Sequence, residues 1–281
     1  MADIHPSSVI DSRAELADDV EVGPLCYVGP NVRIGHGTRL ISHVSILGPT
    51  TIGQGNTLWP QCVLGADPQD LKYHGEHTEL RIGDHNIIRE AVTIHRGTVN
   101  DQCVTVVGDH NLIMAYTHIA HDCIIDNHIV LANSIALAGH IHIQDHAVLG
   151  GQTAIHHFVT VGQYSYIGGM TRLVHDVPPY MIVEGYRATV RSVNLVGLAR
   201  HGFSDSSIQH LKTAWKKLFK NTAEGSGVGQ TAQQLTQLEA DYPDDQAVMT
   251  LITAIRNAQS GTHGRYREAM RQDNRRTAIP R

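Results

Sequence analysis

Aliphatic residues recur every six positions from Ile4 onward. Positions 4, 10, 16, 22, 28, 34, 40, 46, 52, 58 and 64 read Ile, Ile, Leu, Val, Val, Ile, Leu, Ile, Ile, Leu and Leu. The residue four places after the anchor is small or medium (Ser8, Ala14, Val20, Cys26, Val32, Thr38, Val44, Thr50), and Gly23, Gly29, Gly35 and Gly53 directly follow one. The register breaks between Ala66 and Leu80, resumes at Ile82, Ile88 and Ile94, and breaks again from Asn100 to Val106. It then holds at every sixth position from Val107 to Leu173. A strand repeats every two residues and a helix every 3.6, so neither generates this spacing. A period of six with a glycine-tolerant corner predicts a parallel β-helix, each hexad supplying one short strand and one turn. Three hexads close a coil of 18 residues, and the 26 anchored hexads predict eight to nine coils, a prism roughly 40 Å long.

The prism is expected over 1–187, with loops thrown out near 66–80 and 100–106, where function tends to sit on a rigid scaffold. Pro178-Pro179-Tyr180 ends the pattern. A helical domain is expected over 188–260. Its main helix runs from the N-cap Ser204 to Asn221, with the apolar stripe Ile208, Leu211, Trp215, Leu218, Phe219, and two more helices lie at 230–240 and 244–258. Helices there would cover the open strand edges of the last coil. The segment 261–281 carries six arginines against two acids and is expected to be partly disordered.

Composition narrows the class. Aromatic content is only 5%, which suits a core of stacked aliphatics rather than ring anchors. The net charge of −5 provides no basic field for nucleic acid. The amino terminus has no signal pattern, and no apolar run approaches the roughly 18 residues of a membrane span. A cytoplasmic protein without stable membrane insertion is therefore expected. The four cysteines form no Cys-x-x-Cys pair. Cys26, Cys62 and Cys123 fall at inward positions and read as packing thiols.

Twenty histidines make any single one a weak signal. His110, His128 and His146 are 18 apart and should stack as an outward ladder without catalytic duty; His36, His43 and His85 read the same way. His121 has different company: Asp122 adjoins it, His118 precedes it by three, His140 lies one coil on and His156 and His157 another. An imidazole held by a carboxylate is suited to accept a proton near neutral pH. On pattern alone the seam reads equally as such a site or as a second solvated ladder.

Five strings are more specific: Gln69-Asp70-Leu71-Lys72-Tyr73, Arg89 to Thr98 (REAVTIHRGT), His118-Ile119-Ala120-His121-Asp122, Leu137-Ala138-Gly139-His140 and Asp176-Val177-Pro178-Pro179-Tyr180. They resemble the acyl-[acyl-carrier-protein]–UDP-N-acetylglucosamine O-acyltransferase family, which performs the first step of lipid A synthesis. The resemblance covers the chain to about residue 260. It implies a left-handed β-helix, against the usual right-handed crossover, and a homotrimer with active sites in clefts between prisms. It implies that His121 is the general base toward the glucosamine 3-hydroxyl, that Asp122 orients it, and that the Gly139 N–H is the oxyanion donor. The hydroxyl would attack a 3-hydroxyacyl thioester on acyl carrier protein directly, with no acyl-enzyme, cofactor or metal. Asp70, Lys72, His95, His118, His140, His156, Asn194 and Arg200 match substrate-contacting positions. Gly169 stands where side-chain bulk limits acyl length, with Met170 beside it.

Three positions depart from the family pattern: His157 for a glutamine, His201 for an arginine, and Val196 for an acid, all toward the nucleotide end. Lys212, Lys216 and Lys220 form a cationic stripe that reads either as a dock for the acidic carrier protein or as a solvated face. Competing functional readings are N-acylation of a 3-amino UDP-sugar, a trimeric zinc enzyme of γ-carbonic anhydrase type, and a scaffold without catalysis.

Overall fold

Short strands alternate with tight turns from Asp3 to Leu173, and like strands of successive coils pair in parallel to build three sheets. In a computed structural model, residues 1–220, 232–261 and 264–270 are described. Sheet A has eleven strands, sheet B nine and sheet C eight. Ile4 pairs with Val22 in sheet A, Ile10 with Val28 in sheet B and Leu16 with Ile34 in sheet C. The anchors point inward and stack on one another. Anchors from Val22 to Leu173 are at most 3% exposed, whereas Ile4 remains 41% exposed because no coil lies beneath it. Cys26, Cys62 and Cys123 are buried among them. Burial pushes the Cys62 and Cys123 thiols up to about 12, so neither supplies a thiolate.

At most corners the geometry is set by the residue three places after the anchor, which turns the chain through the left-handed region. Leu25, Asn31, His43, Gln61, Tyr116, Asp122, Ser134, His140 and Met170 all carry φ between 52° and 67°. This conformation costs a non-glycine residue roughly 1–2 kcal/mol, which the stacked coils on either side must offset. Inside the prism, Asn56, Asn86 and Asn111 form a satisfied ladder, each side-chain oxygen accepting a backbone N–H from the next coil.

Both interruptions leave the corner that follows sheet B. The pairing step of 18 residues becomes 30 where Asn86 reaches back to Asn56 and 25 where Asn111 reaches back to Asn86. The strands Val63–Ala66 and Glu79–Ile82 bound the first loop, and Thr93–His95 and Val104–Val107 bound the second. Residues 104–106, read from the sequence as loop, are therefore strand. The reason is that the second loop adds seven residues to its coil, 25 against 18, which shifts the anchor register by one so that Val107 rather than Val106 is the next anchor.

Above Leu173 the strand Met181–Glu184 extends sheet A in parallel, and Thr189–Val193 closes it as an antiparallel strand. The sheet thus runs past 187, beyond the expected boundary. Four helices follow: α1 (Leu195–Arg200), α2 (Asp205–Leu218), α3 (Ala232–Asp241) and α4 (Gln246–Ser260). Ser204 caps α2 and Asp245 caps α4 through side-chain acceptors. Tyr180, Met181, Leu198, Leu211, Leu235, Val248 and Leu251 form a second core between the last coil and the helices. Residues 264–270, expected within a disordered tail, continue into a 3-10 turn (Arg265–Met270); the remainder of that tail, 262–263 and 271–281, lies outside the described residues. No helix among the described residues is long and apolar enough to cross a membrane.

Candidate active site

The corner after sheet B gathers most of the chemistry. Thr93, His118, Ala136 and Ala154 lie in register on its outward face. His121 follows its anchor by two and Asp122 by three, so Asp122 is a left-handed corner residue with φ 58°. The second loop folds against it. The Thr98 N–H donates to Asp122 Oδ1 (2.8 Å) and the Thr98 hydroxyl to Asp122 Oδ2 (2.6 Å). His121 Nδ1 lies 2.8 Å from the same Oδ2. The Asp122 side chain is completely buried and that of His121 is 15% exposed. Because an ionised carboxylate only accepts, the proton of His121 sits on Nδ1 and the lone pair on Nε2.

Gly139 occupies the register position above His121. A Cβ there would lie 2.5 Å from His121 Cε1, so the bare backbone is what allows this approach. The Gly139 N–H donates to no described residue. His140, expected directly above His121, instead stands over Asp122 in the corner row, its ring 5.0 Å from that of His121 and perpendicular to it. His140 Nδ1 is held by Asp101 Oδ2 at 2.7 Å, and its ring stacks on Phe158 at 4.4 Å. Burial pulls the Asp101 carboxyl upward, but the His140 hydrogen bond and charge and the Arg267 guanidinium outweigh it and hold the group below the usual carboxylate range.

His95 and His118 lie edge to face at 4.9 Å. Thr93 Oγ1 holds His118 Nδ1 at 2.7 Å. Burial, reinforced by the neighbouring imidazoles, lowers His95 to about 4 and also lowers His118. The His95 Nδ1 is buried without a partner among the described residues. His156 packs against His157 at 3.9 Å, and burial lowers its basicity too.

Asp70 and Lys72 ride on the first loop, which leaves the prism on this corner. The Lys72 N–H donates to Asp70 Oδ1 at 3.0 Å. The buried Arg96 roots this loop, donating to the carbonyls of Gly48 (2.9 Å) and Gly65 (2.7 Å), to the Tyr73 hydroxyl (3.1 Å) and to Asp67.

The other expected site residues lie elsewhere on the chain. Asn194 caps α1, accepting from the Gly197 N–H and donating to the Tyr164 carbonyl at the corner after sheet C. Arg200 is exposed on the same helix. Gly169 and Met170 sit on the corner after sheet A, Met170 being 75% exposed. The ladder of His85, His110, His128 and His146 also follows sheet C, its rings 4.8–5.1 Å apart, and ends on Tyr164.

Sequence reasoning missed Thr98, Asp101 and Arg96 as supports of the site. Each acts across loops, and the closest signal was that Arg96 and Thr98 fall in a family-specific string. Among the described residues, the ligand atoms of His121, Asp122 and His140 converge within 4.8 Å. This set has two imidazoles and one carboxylate rather than the three imidazoles of the zinc reading.

The chain is similar to known proteins over nearly its whole length. Residues 176–263 match the family model described as UDP N-acetylglucosamine O-acyltransferase, domain 2. An acyl-[acyl-carrier-protein]–UDP-N-acetylglucosamine O-acyltransferase of Thermodesulfovibrio yellowstonii is 47% identical over 261 residues, covering 93% of this chain and 99% of the relative. The structure of LpxA from Acinetobacter baumannii superposes with a TM-score of 0.86 at 42% identity, covering 91% of this chain and 97% of that one. The Bacteroides fragilis enzyme, a UDP-N-acetylglucosamine acyltransferase, gives 0.87 at 36% identity, covering 93% and 98%.

Proposed function

Because the chain belongs to the family of acyl-[acyl-carrier-protein]–UDP-N-acetylglucosamine O-acyltransferases, we propose that it moves a 3-hydroxyacyl chain from acyl carrier protein to the glucosamine 3-hydroxyl of UDP-N-acetylglucosamine, the first step of lipid A synthesis. The observation that carries the mechanism is the Thr98–Asp122–His121 relay, which fixes the imidazole with Nε2 free to take the hydroxyl proton. The alkoxide forming on the sugar attacks the thioester carbonyl, the Gly139 N–H receives the oxyanion, and collapse expels the carrier thiolate, which takes the proton from His121. A positioned base contributes about 10²–10⁴ in rate and an oxyanion donor about 10²–10³. His118, His140, His95 and His156 line the path of the substrate along the seam. Asp70 and Lys72 meet the nucleotide from the ejected loop, and Gly169 with Met170 limits the acyl chain.

A homotrimer follows from the same reading. Ile87, Leu112, Val130, Val148 and Tyr166 form an unbroken outward column on sheet A, each in register with the next. Such a column on an exposed sheet face favours burial against copies of itself. It also lets Asn194 and Arg200 of one protomer complete the seam of a neighbour. The exposed Lys216 and Lys220 on and after α2, with the half-buried Lys212, offer a dock to the acidic carrier protein. The test is His121→Ala: it keeps the oligomer and melting temperature of the parent and loses at least about 10²-fold in kcat. Retention of parental kcat would overturn the assignment.

A further inference from the structure

The family model ends at residue 263, yet the chain continues as a 3-10 turn over Arg265–Met270 that lies on the His121 corner. Its seat is specific. Gly264, with φ 76°, passes so close to Asp176 that a Cβ would lie 2.0 Å from the carboxylate. The Arg265 N–H then donates to both Asp176 oxygens, at 3.0 and 3.1 Å. Two residues on, the Arg267 guanidinium reaches both oxygens of Asp101 at 3.3 Å and lies 5.5 Å above the Phe158 ring. Glu268 Oε1 meets His157 Nε2 at 2.6 Å, its other oxygen pairing with Arg265.

Both contacts fall on groups next to the reaction. Asp101 is the carboxylate that holds His140, and Phe158 is the ring on which His140 stacks. Arg267 therefore fixes the two supports of one imidazole at once. The partner of His157, Glu268, comes from outside the family-matched segment. An imidazole held in one orientation benefits from a carboxylate.

We propose that residues 264–270 are a strap that completes the active site, with Arg267 and Glu268 as positioning residues for His140 and His157. The inference rests on the acyltransfer reading above. Arg267 acts on the reacting end, so its loss is felt in kcat; Glu268 acts on the nucleotide end, so its loss is felt in KM.

Steady-state kinetics on the full chain tests this. Arg267→Ala is expected to lower kcat about tenfold, the effect of one lost charge-assisted orienting contact, and Arg267→Lys to recover most of it. In an Asp101→Asn background the same Arg267→Ala change costs little more, because its target is gone. Glu268→Gln raises the KM for UDP-N-acetylglucosamine about tenfold, but has no such effect once His157→Gln is present. Gly264→Val, which cannot seat against Asp176, reproduces both losses together. Parental kinetics in Arg267→Ala and Glu268→Gln, or a gain in rate, would overturn the strap while leaving the acyltransferase reading intact. An inactive parent would overturn both.

Discussion

At the scale of single residues, the His95 environment makes a clear statement about pH. Its imidazole is 5% exposed and sits beside His118, so burial first, and neighbouring charge second, lower it from 6.5 to about 4. The folded chain refuses a proton that the unfolded chain accepts between those values. Stability from this group is thus complete above pH 6.5 and is lost as pH falls toward 4, by up to about 3 kcal/mol. The His95 ring resonances should titrate with a midpoint near 4, and His95→Asn should flatten the fall of melting temperature with acid. A midpoint near 6.5 would show that the imidazole is accessible and charged. Histidine identity was legible in the sequence, but this distinction was not. Burial depends on which coil lies above, and the support of Asp122 by Thr98 spans 24 residues from a loop back onto a corner.

At the scale of elements, the period of six predicted the strands well because inward anchors and outward polar residues are set by burial. It could not predict what stood at the corners. The left-handed position is filled by Leu, Asn, His, Gln, Tyr, Asp and Met alike, since the backbone conformation is imposed by the coils on either side. The second loop was misplaced for another reason: its seven added residues shift the aliphatic register by one. The first loop depends on one buried side chain. Arg96→Ala removes four contacts and leaves the Gly48 and Gly65 carbonyls short of donors, a cost of about 2–4 kcal/mol. The expected outcome is new proteolytic cleavage within 67–78 and a raised KM for the nucleotide, since Asp70 and Lys72 lose their footing. An unchanged digestion pattern would place the root of the loop elsewhere.

At the scale of the whole molecule, the residues matched to the family fall on three different corners of one prism. His121 follows sheet B, Asn194 packs at the corner after sheet C, and Gly169 follows sheet A. On the proposed reading they serve one site, which a chain acting alone cannot assemble, and that is the physical argument for sharing it between copies. Mixing is the test. His121→Ala and Arg200→Ala protomers, each inactive by itself, should regain activity when refolded or co-expressed together, because some interfaces then pair an intact base with an intact arginine. Failure of the mixed assembly to recover any activity would mean that each site is built within one chain. The helical cap was read from periodicity and capping residues. The assignment of Asn194 and Arg200 to the site came only through family resemblance, since no local pattern marks them.

The glycine at 169 has a counterpart one coil below it, Gly151, and the two backbones lie in contact. In the proposed homotrimer cyclic symmetry keeps all prisms at one height, so the 48 residues between His121 and Gly169 correspond to about 13 Å along the axis at roughly 4.8 Å per coil. On that proposal the prism is graduated like a rule, with one mark per turn, against which the acyl chain would be read. A methionine placed at 151 moves the stop down by one mark and shifts preference to chains shorter by several carbons, visible as a changed product spectrum with a mixture of acyl carrier protein thioesters. The repeat that stabilises the fold would then also be the unit in which the enzyme measures its substrate.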